Sequence, residues 1–115
     1  MIDERIRSYL IGSGLSVGDR IYPQAVPHNP AYPLVVYNTN AAPPADHRDG
    51  GNLVRMGKQF RVYGSGHAQV WAVAMELRRV LLRFPMQIEN MLDGYEPESA
   101  RWYVVVMATV WTEGY

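Results

Sequence analysis

Between Leu53 and Phe84 the hydrophobic period of the chain changes once, and that change limits what the chain can become. From Leu53 the residues alternate. Val54, Met56, Phe60 and Val62 fall on one side of a strand, and Arg55, Gln59 and Arg61 on the other. Gly57 and Lys58 interrupt the alternation, where a bulge fits. After the turn Gly64-Ser65-Gly66 the spacing becomes helical: Val70, Val73, Ala74, Leu77, Val80, Leu81 and Phe84 recur every three or four residues. Ser65 is placed to cap the first amides, and Pro85 closes the helix or opens the exit loop. Trp71, Met75 and Leu82 widen the apolar stripe beyond the needs of a lone surface helix. Such a helix covers a sheet, and one flank is free to face a partner chain.

The flanking segments supply the rest of the sheet. Ile2, Ile6, Tyr9 and Leu10 give a short first helix one apolar side, with Asp3 and Glu4 near its positive end and Gly12 and Gly14 stopping it. GDRIYPQAVPHNPAYP carries four prolines in its last eleven residues, so it is expected to be an extended crossing anchored by Ile21 and Tyr22. Leu34 to Thr39 is apolar on both faces, as in a strand covered twice. The polar, proline- and glycine-rich stretch 41–52 is expected to project as a loop. Met86 to Leu92 reads as a short strand with Met86, Ile88 and Leu92 inward, and Asp93-Gly94 as a turn. WYVVVMATVW is the most apolar segment, with Trp102, Val104, Val106, Ala108 and Val110 on one face and Tyr103, Val105, Met107, Thr109 and Trp111 on the other. The expected fold is α+β, one domain over 1–115, with two helices packed on one face of a largely antiparallel four-stranded sheet. Two helices cannot cover both faces. The face bearing Tyr103, Val105, Met107 and Trp111 then needs another cover, most economically a neighbouring subunit.

Composition excludes several chemistries. The chain has no cysteine, so thiol catalysis, cysteine-ligated metal and disulfide bracing are out. MIDERIRSYL is too charged for a secretory signal, and no apolar run approaches a membrane span. Net charge is zero but unevenly spread: residues 48–83 hold seven Lys/Arg against two Asp/Glu, and residues 84–115 one Arg against five Asp/Glu. Copies in a ring or stack can set one face against the other. Three Trp and eight Tyr fit the aromatic enrichment of interfaces.

Candidate sites read mostly as structure. The clusters GSG at 12–14 and 64–66 lack the spacing of a dinucleotide or P-loop, and punctuate helices. Asp46, His47 and Asp49 are the densest polar group, a set able in principle to hold a metal. They lie in a loop without rigid support and are read as solvated. Ser65 has no visible base, and His67 at a helix start is read as a surface residue. Glu89, Asp93, Glu96 and Glu98 surround the expected turn and are read as solvated too. Arg48, Arg55, Lys58 and Arg61 form a sparse basic run beside Phe60 and Tyr63. Direct nucleic-acid binding is the alternative there; a basic rim around a channel, or pairing between subunits, is preferred. Trp71, Met75, Tyr103 and Trp111 are the interface candidates, and no cofactor or metal is expected.

The order of motifs resembles a known family. Gly18, Arg20, Ile21, Tyr22 and Pro23, followed by Pro33, Val35, Val36 and Tyr37, are similar to the front half of the tail-completion, or tail-terminator, proteins of long-tailed bacteriophages. Phe60, Val62 and Tyr63, then Ala68, Ala72 and Leu77, match the strand, turn and helix that follow in that family, and Trp111 its late aromatic. The resemblance implies a non-enzymatic virion protein at the head-tail junction, assembled in the host cytoplasm. It implies a hexameric ring that caps the tail tube, meets the tail tube protein and the head-side connector protein, and lets genomic DNA pass. A head-proximal adaptor of the same connector, or a standalone small-ligand, regulatory or nucleic-acid-binding domain, is the alternative.

Overall fold

A computed structural model describes residues 2–41, 53–84 and 86–113. Beyond Ala41, the expected projecting loop lies outside the described residues, and so do Arg48 and the group Asp46, His47 and Asp49. Helix α1 is Ile2–Gly12 and α2 is His67–Arg83; the strands are β1 Ile21–Pro23, β2 Leu34–Ala41, β3 Leu53–Gly64, β4 Gln87–Glu96 and β5 Arg101–Glu113.

The α+β class holds, but the sheet has five strands, in the order β1-β2-β3-β5-β4, and not the expected four. It is mixed: β1 runs parallel to β2, and the other pairs are antiparallel. The added strand comes from the proline-rich crossing, where Ile21, Tyr22 and Pro23 pair with Val35, Val36 and Tyr37. Proline lacks an N–H for a ladder, which is tolerated on an edge strand. Gln24, in the left-handed region at φ 73, then turns the chain while its N–H donates to the Tyr37 carbonyl at 2.8 Å.

Both helices contribute to one core on one face of the sheet. Strand register lines up the rows Val35–Val62–Val104 and Tyr37–Phe60–Val106, all buried. Over them lie Val70, Val73, Ala74, Leu77, Val80 and Leu81 of α2, the helical face read from the sequence, together with Ile6 and Leu10 of α1. The Tyr9 hydroxyl donates to the Val80 carbonyl at 2.9 Å, and its ring meets Phe84 at 5.1 Å, fixing α1 on α2. The start of α2 departs from expectation. Gly66 is the N-cap and no side chain caps the helix; instead the Gln69 carboxamide oxygen reaches back and accepts from the Ser65 N–H at 2.9 Å.

The β4 to β5 connection also differs. Asp93-Gly94 lies inside β4, and the turn falls at 97–100, where the Ala100 N–H donates to the Pro97 carbonyl. A register shift between Ile88 and Asn90 reverses the phase of the strand, so Ile88 and Met91 pack on the core while Leu92 points outward, 51% exposed. Gly94 sits opposite Tyr103, and a Cβ there would run into the Tyr103 ring, which lies across the glycine. The local turn signal gives way to this cross-strand fit. Gly94→Ala is therefore expected to push the half-exposed Tyr103 ring aside and to lower the urea midpoint only slightly, by about 1 kcal/mol or less, with an unchanged slope.

Candidate functional site

The face of the sheet away from the helices carries the most unusual side chains. On β3, alternation sends Met56, Phe60 and Val62 to the core, and Arg55, Gln59 and Arg61 to this open face. On β5 it sends Tyr103, Val105, Met107, Thr109 and Trp111 there, as the sequence pattern requires. Leu34, Val36 and Tyr63 form a small second apolar cluster, with Tyr22, Tyr32 and Tyr103 packed around it. Tyr63 and Tyr103 stand 6.2 Å apart, centroid to centroid. Two guanidinium groups lie on aromatic faces, Arg101 at 4.1 Å over Tyr32 and Arg61 at 5.8 Å over Tyr103. Among the described residues no helix or strand covers this face.

Trp111 sits at its far end. β4 begins opposite Thr109, so β5 beyond that point pairs with β3 alone. Trp111 lies on this two-stranded extension opposite Arg55 and is 56% exposed. At the other end, Gln24, Ala25 and Val26 arch beside Val36, Asn38, Gln59, Arg61 and Tyr63 and enclose a socket of about 150 Å³. The Asn38 Oδ1 is buried in it with no hydrogen-bond partner.

The structure divides both groups of sequence candidates. Arg55 and Arg61 share the open face, whereas Lys58 is fully buried near the opposite face, its Nζ donating to Thr39 Oγ1 at 2.6 Å. The register irregularity lies in β2, between Thr39 and Ala41, opposite Lys58 and Gly57. Tyr103 and Trp111 belong to the open face. Trp71 and Met75 belong to α2 on the other side, where Trp71 is half-buried and Met75 is 45% exposed.

One polar cluster was not legible beforehand. His67 Nε2 lies 2.8 Å from Asp93 Oδ2, and the Trp71 indole N–H donates to the same oxygen at 2.8 Å. The imidazole meets Trp102 edge-on at 5.0 Å, and Trp102 meets Tyr95 at 5.1 Å. The i, i+4 spacing of His67 and Trp71 was the available signal, but nothing local tied them to Asp93. Hydrogen bonds from His67 and then Trp71 hold the Asp93 carboxyl below the ordinary carboxylate range. With no nucleophile in contact, the cluster ties the start of α2 to β4. Because the folded-state pKa is depressed, its contribution is present above about pH 4 and is lost as pH falls through the folded value. Asp93→Asn should then lower the urea midpoint at neutral pH, and the gap from the parent should close under acid.

Of the other carboxylates, Glu89 accepts from Thr109 Oγ1 at 2.9 Å and Glu96 from Ser99 Oγ at 2.7 Å. Among the described residues no group of three His, Cys, Asp or Glu is placed to hold a metal, and no helix is long and apolar enough to cross a membrane.

A family model described as tail completion protein gp17 matches residues 8–113, nearly the whole chain and all five strands. No individual curated protein matched it. The match spans the crossing segment, the open-faced sheet and α2 together, and the chain thus belongs to the tail completion protein gp17 family, structural proteins of the bacteriophage tail.

Proposed function

We propose that copies of this chain close into a ring, hexameric in its complete form, that caps the tail tube and joins it to the head-side connector, without enzymatic activity. The observation that carries this reading is the sheet face away from the helices, over which no described helix or strand lies: Val105 and Thr109 are buried there, but Tyr103 and Met107 are only half-buried and Trp111 is exposed on a projecting ribbon. An apolar, aromatic surface of this kind is expected to be covered in use. A closed ring repeats one contact around an axis and leaves no open ends. Membership of a tail completion family supports the setting, the phage tail; the tail tube protein and the connector protein as neighbours belong to the proposal. Passage of genomic DNA through the bore belongs to the same proposal, with Arg55, exposed and opposite Trp111 on the ribbon, as a basic residue placed to meet it.

The alternatives have less support. Among the described residues, the socket beside β1, about 150 Å³, falls short of the ~300–1,000 Å³ typical of small-molecule sites. Burial of Lys58 breaks up the basic run on which nucleic-acid binding would rest. Particles produced without this chain test the function: complete heads and tails should accumulate unjoined, with joining restored by the added protein. Normal joined particles in its absence would overturn the reading.

A further inference from the structure

The socket beside β1 and the exposed edge of β4 lie at opposite ends of the same sheet, and their chemistry is complementary. The socket offers Arg61, whose guanidinium lies over the Tyr103 ring but has no carboxylate partner among the described residues and only a long hydrogen bond, 3.4 Å, to the Tyr63 hydroxyl. It also holds the orphaned Asn38 acceptor, and its lip presents Val26, 38% exposed. An occupant that satisfies it must bring an acceptor for Arg61, a donor for Asn38 and an apolar group for Val26. The outer edge of β4 carries all three. β4 is the last strand in the order, so one row of its backbone N–H and C=O groups has no strand beside it. On the open face it presents Leu92, 51% exposed, and Leu92 lies between Glu89 and Glu96. The charge imbalance of the sequence has the same polarity: the acidic final third contains β4, and the basic middle contains Arg61.

We infer that the socket formed by Gln24–Val26, Asn38 and Arg61 receives the β4 edge of a second copy of this chain. Leu92 of that edge packs on Val26, and one of its flanking carboxylates, Glu89 or Glu96, accepts from Arg61. This rests on the ring reading above and names the surfaces that would build it. Because the two surfaces sit at opposite ends of one sheet, the contact is head-to-tail. Each copy keeps one free socket and one free edge until the chain of contacts closes. Side-chain pairing of a guanidinium with a carboxylate selects the register, and the β4 backbone supplies the donor for Asn38.

The absence of native cysteine allows a direct test. In a Val26→Cys, Leu92→Cys double variant the two thiols stand at opposite ends of one subunit, so any bond between them joins two copies. Purified protein at high concentration and protein in assembled tails are oxidised in parallel, or treated with a short bis-maleimide that tolerates small offsets. The expected product is a ladder of covalent multimers ending at the ring size, absent from either single variant. Arg61→Glu should reduce ring formation roughly tenfold or more, and Glu89→Arg or Glu96→Arg in the same chain should restore it. Rings that form normally but never cross-link overturn this interface and leave the ring reading standing. A chain that shows neither rings nor cross-links, in solution or in tails, overturns both.

Discussion

Phe60→Ala is expected to lower the stability of the subunit by about 3–5 kcal/mol, the usual cost of removing a fully buried phenylalanine. Phe60 is 0% exposed on β3, which lies between β2 and β5. Its register partners are Tyr37 and Val106, and its ring stands 6.3 Å from that of Tyr37. These neighbours sit on the two strands that flank β3 and are held by long ladders, so they cannot collapse into the space without moving the sheet. Domains of this size have about 5–15 kcal/mol in total, and the variant should approach the unfolding threshold at 37 °C. Urea titration followed by tryptophan fluorescence measures the loss. A change under about 1 kcal/mol would mean that the core is not centred on this row.

Trp111→Glu is expected to have the reverse profile. Trp111 is 56% exposed in the subunit, so the variant should fold with a nearly unchanged urea midpoint. Assembly should suffer. Burying a large aromatic against a partner contributes about 2 kcal/mol or more, and a carboxylate left in its place adds a desolvation cost, so docking of this ribbon end on a neighbouring chain, a contact additional to the socket, should weaken by roughly thirtyfold or beyond. Native mass spectrometry and particle yield report it. Full assembly with Trp111→Glu would move the interface off the open face. A matched change at Met75, exposed on α2 on the other side, serves as the comparison: under the present account Met75→Gln leaves the rings intact.

The parts of the fold legible in the sequence were those whose signal is local and periodic. The spacing of Val70, Val73, Ala74, Leu77, Val80 and Leu81 fixed both the limits of α2 and the face it buries. Strict alternation from Trp102 to Trp111 marked β5 and the residues of its two faces. What was missed depends on contacts distant in sequence. β1 is three residues long and takes its strand character from pairing with Val35, Val36 and Tyr37, which no pattern within IYP announces. Asp93-Gly94 carries a strong turn signal, yet the two residues pair with Val104 and Tyr103 of β5 and stay within β4. Leu92 faces outward because one register shift inverts the strand, and an inversion of that kind leaves no trace in the hydrophobic pattern. Lys58 sits in a basic run that reads as a channel rim or a subunit contact, while the fold takes it inside. That Tyr103 and Trp111 share one face of β5 was legible from the alternation. The socket was not, because it needs Gln24 to Val26 brought against Asn38 and Arg61 by a crossing segment with no regular structure.

Imaging the head-proximal end of purified tails at a resolution that separates subunits tests the central claim most directly. The account predicts a closed ring of identical copies around the tube axis, with Tyr103, Met107 and Trp111 of each copy covered by a neighbouring chain. A single asymmetric copy at that position, or a ring in which these side chains remain bare to solvent, would contradict it.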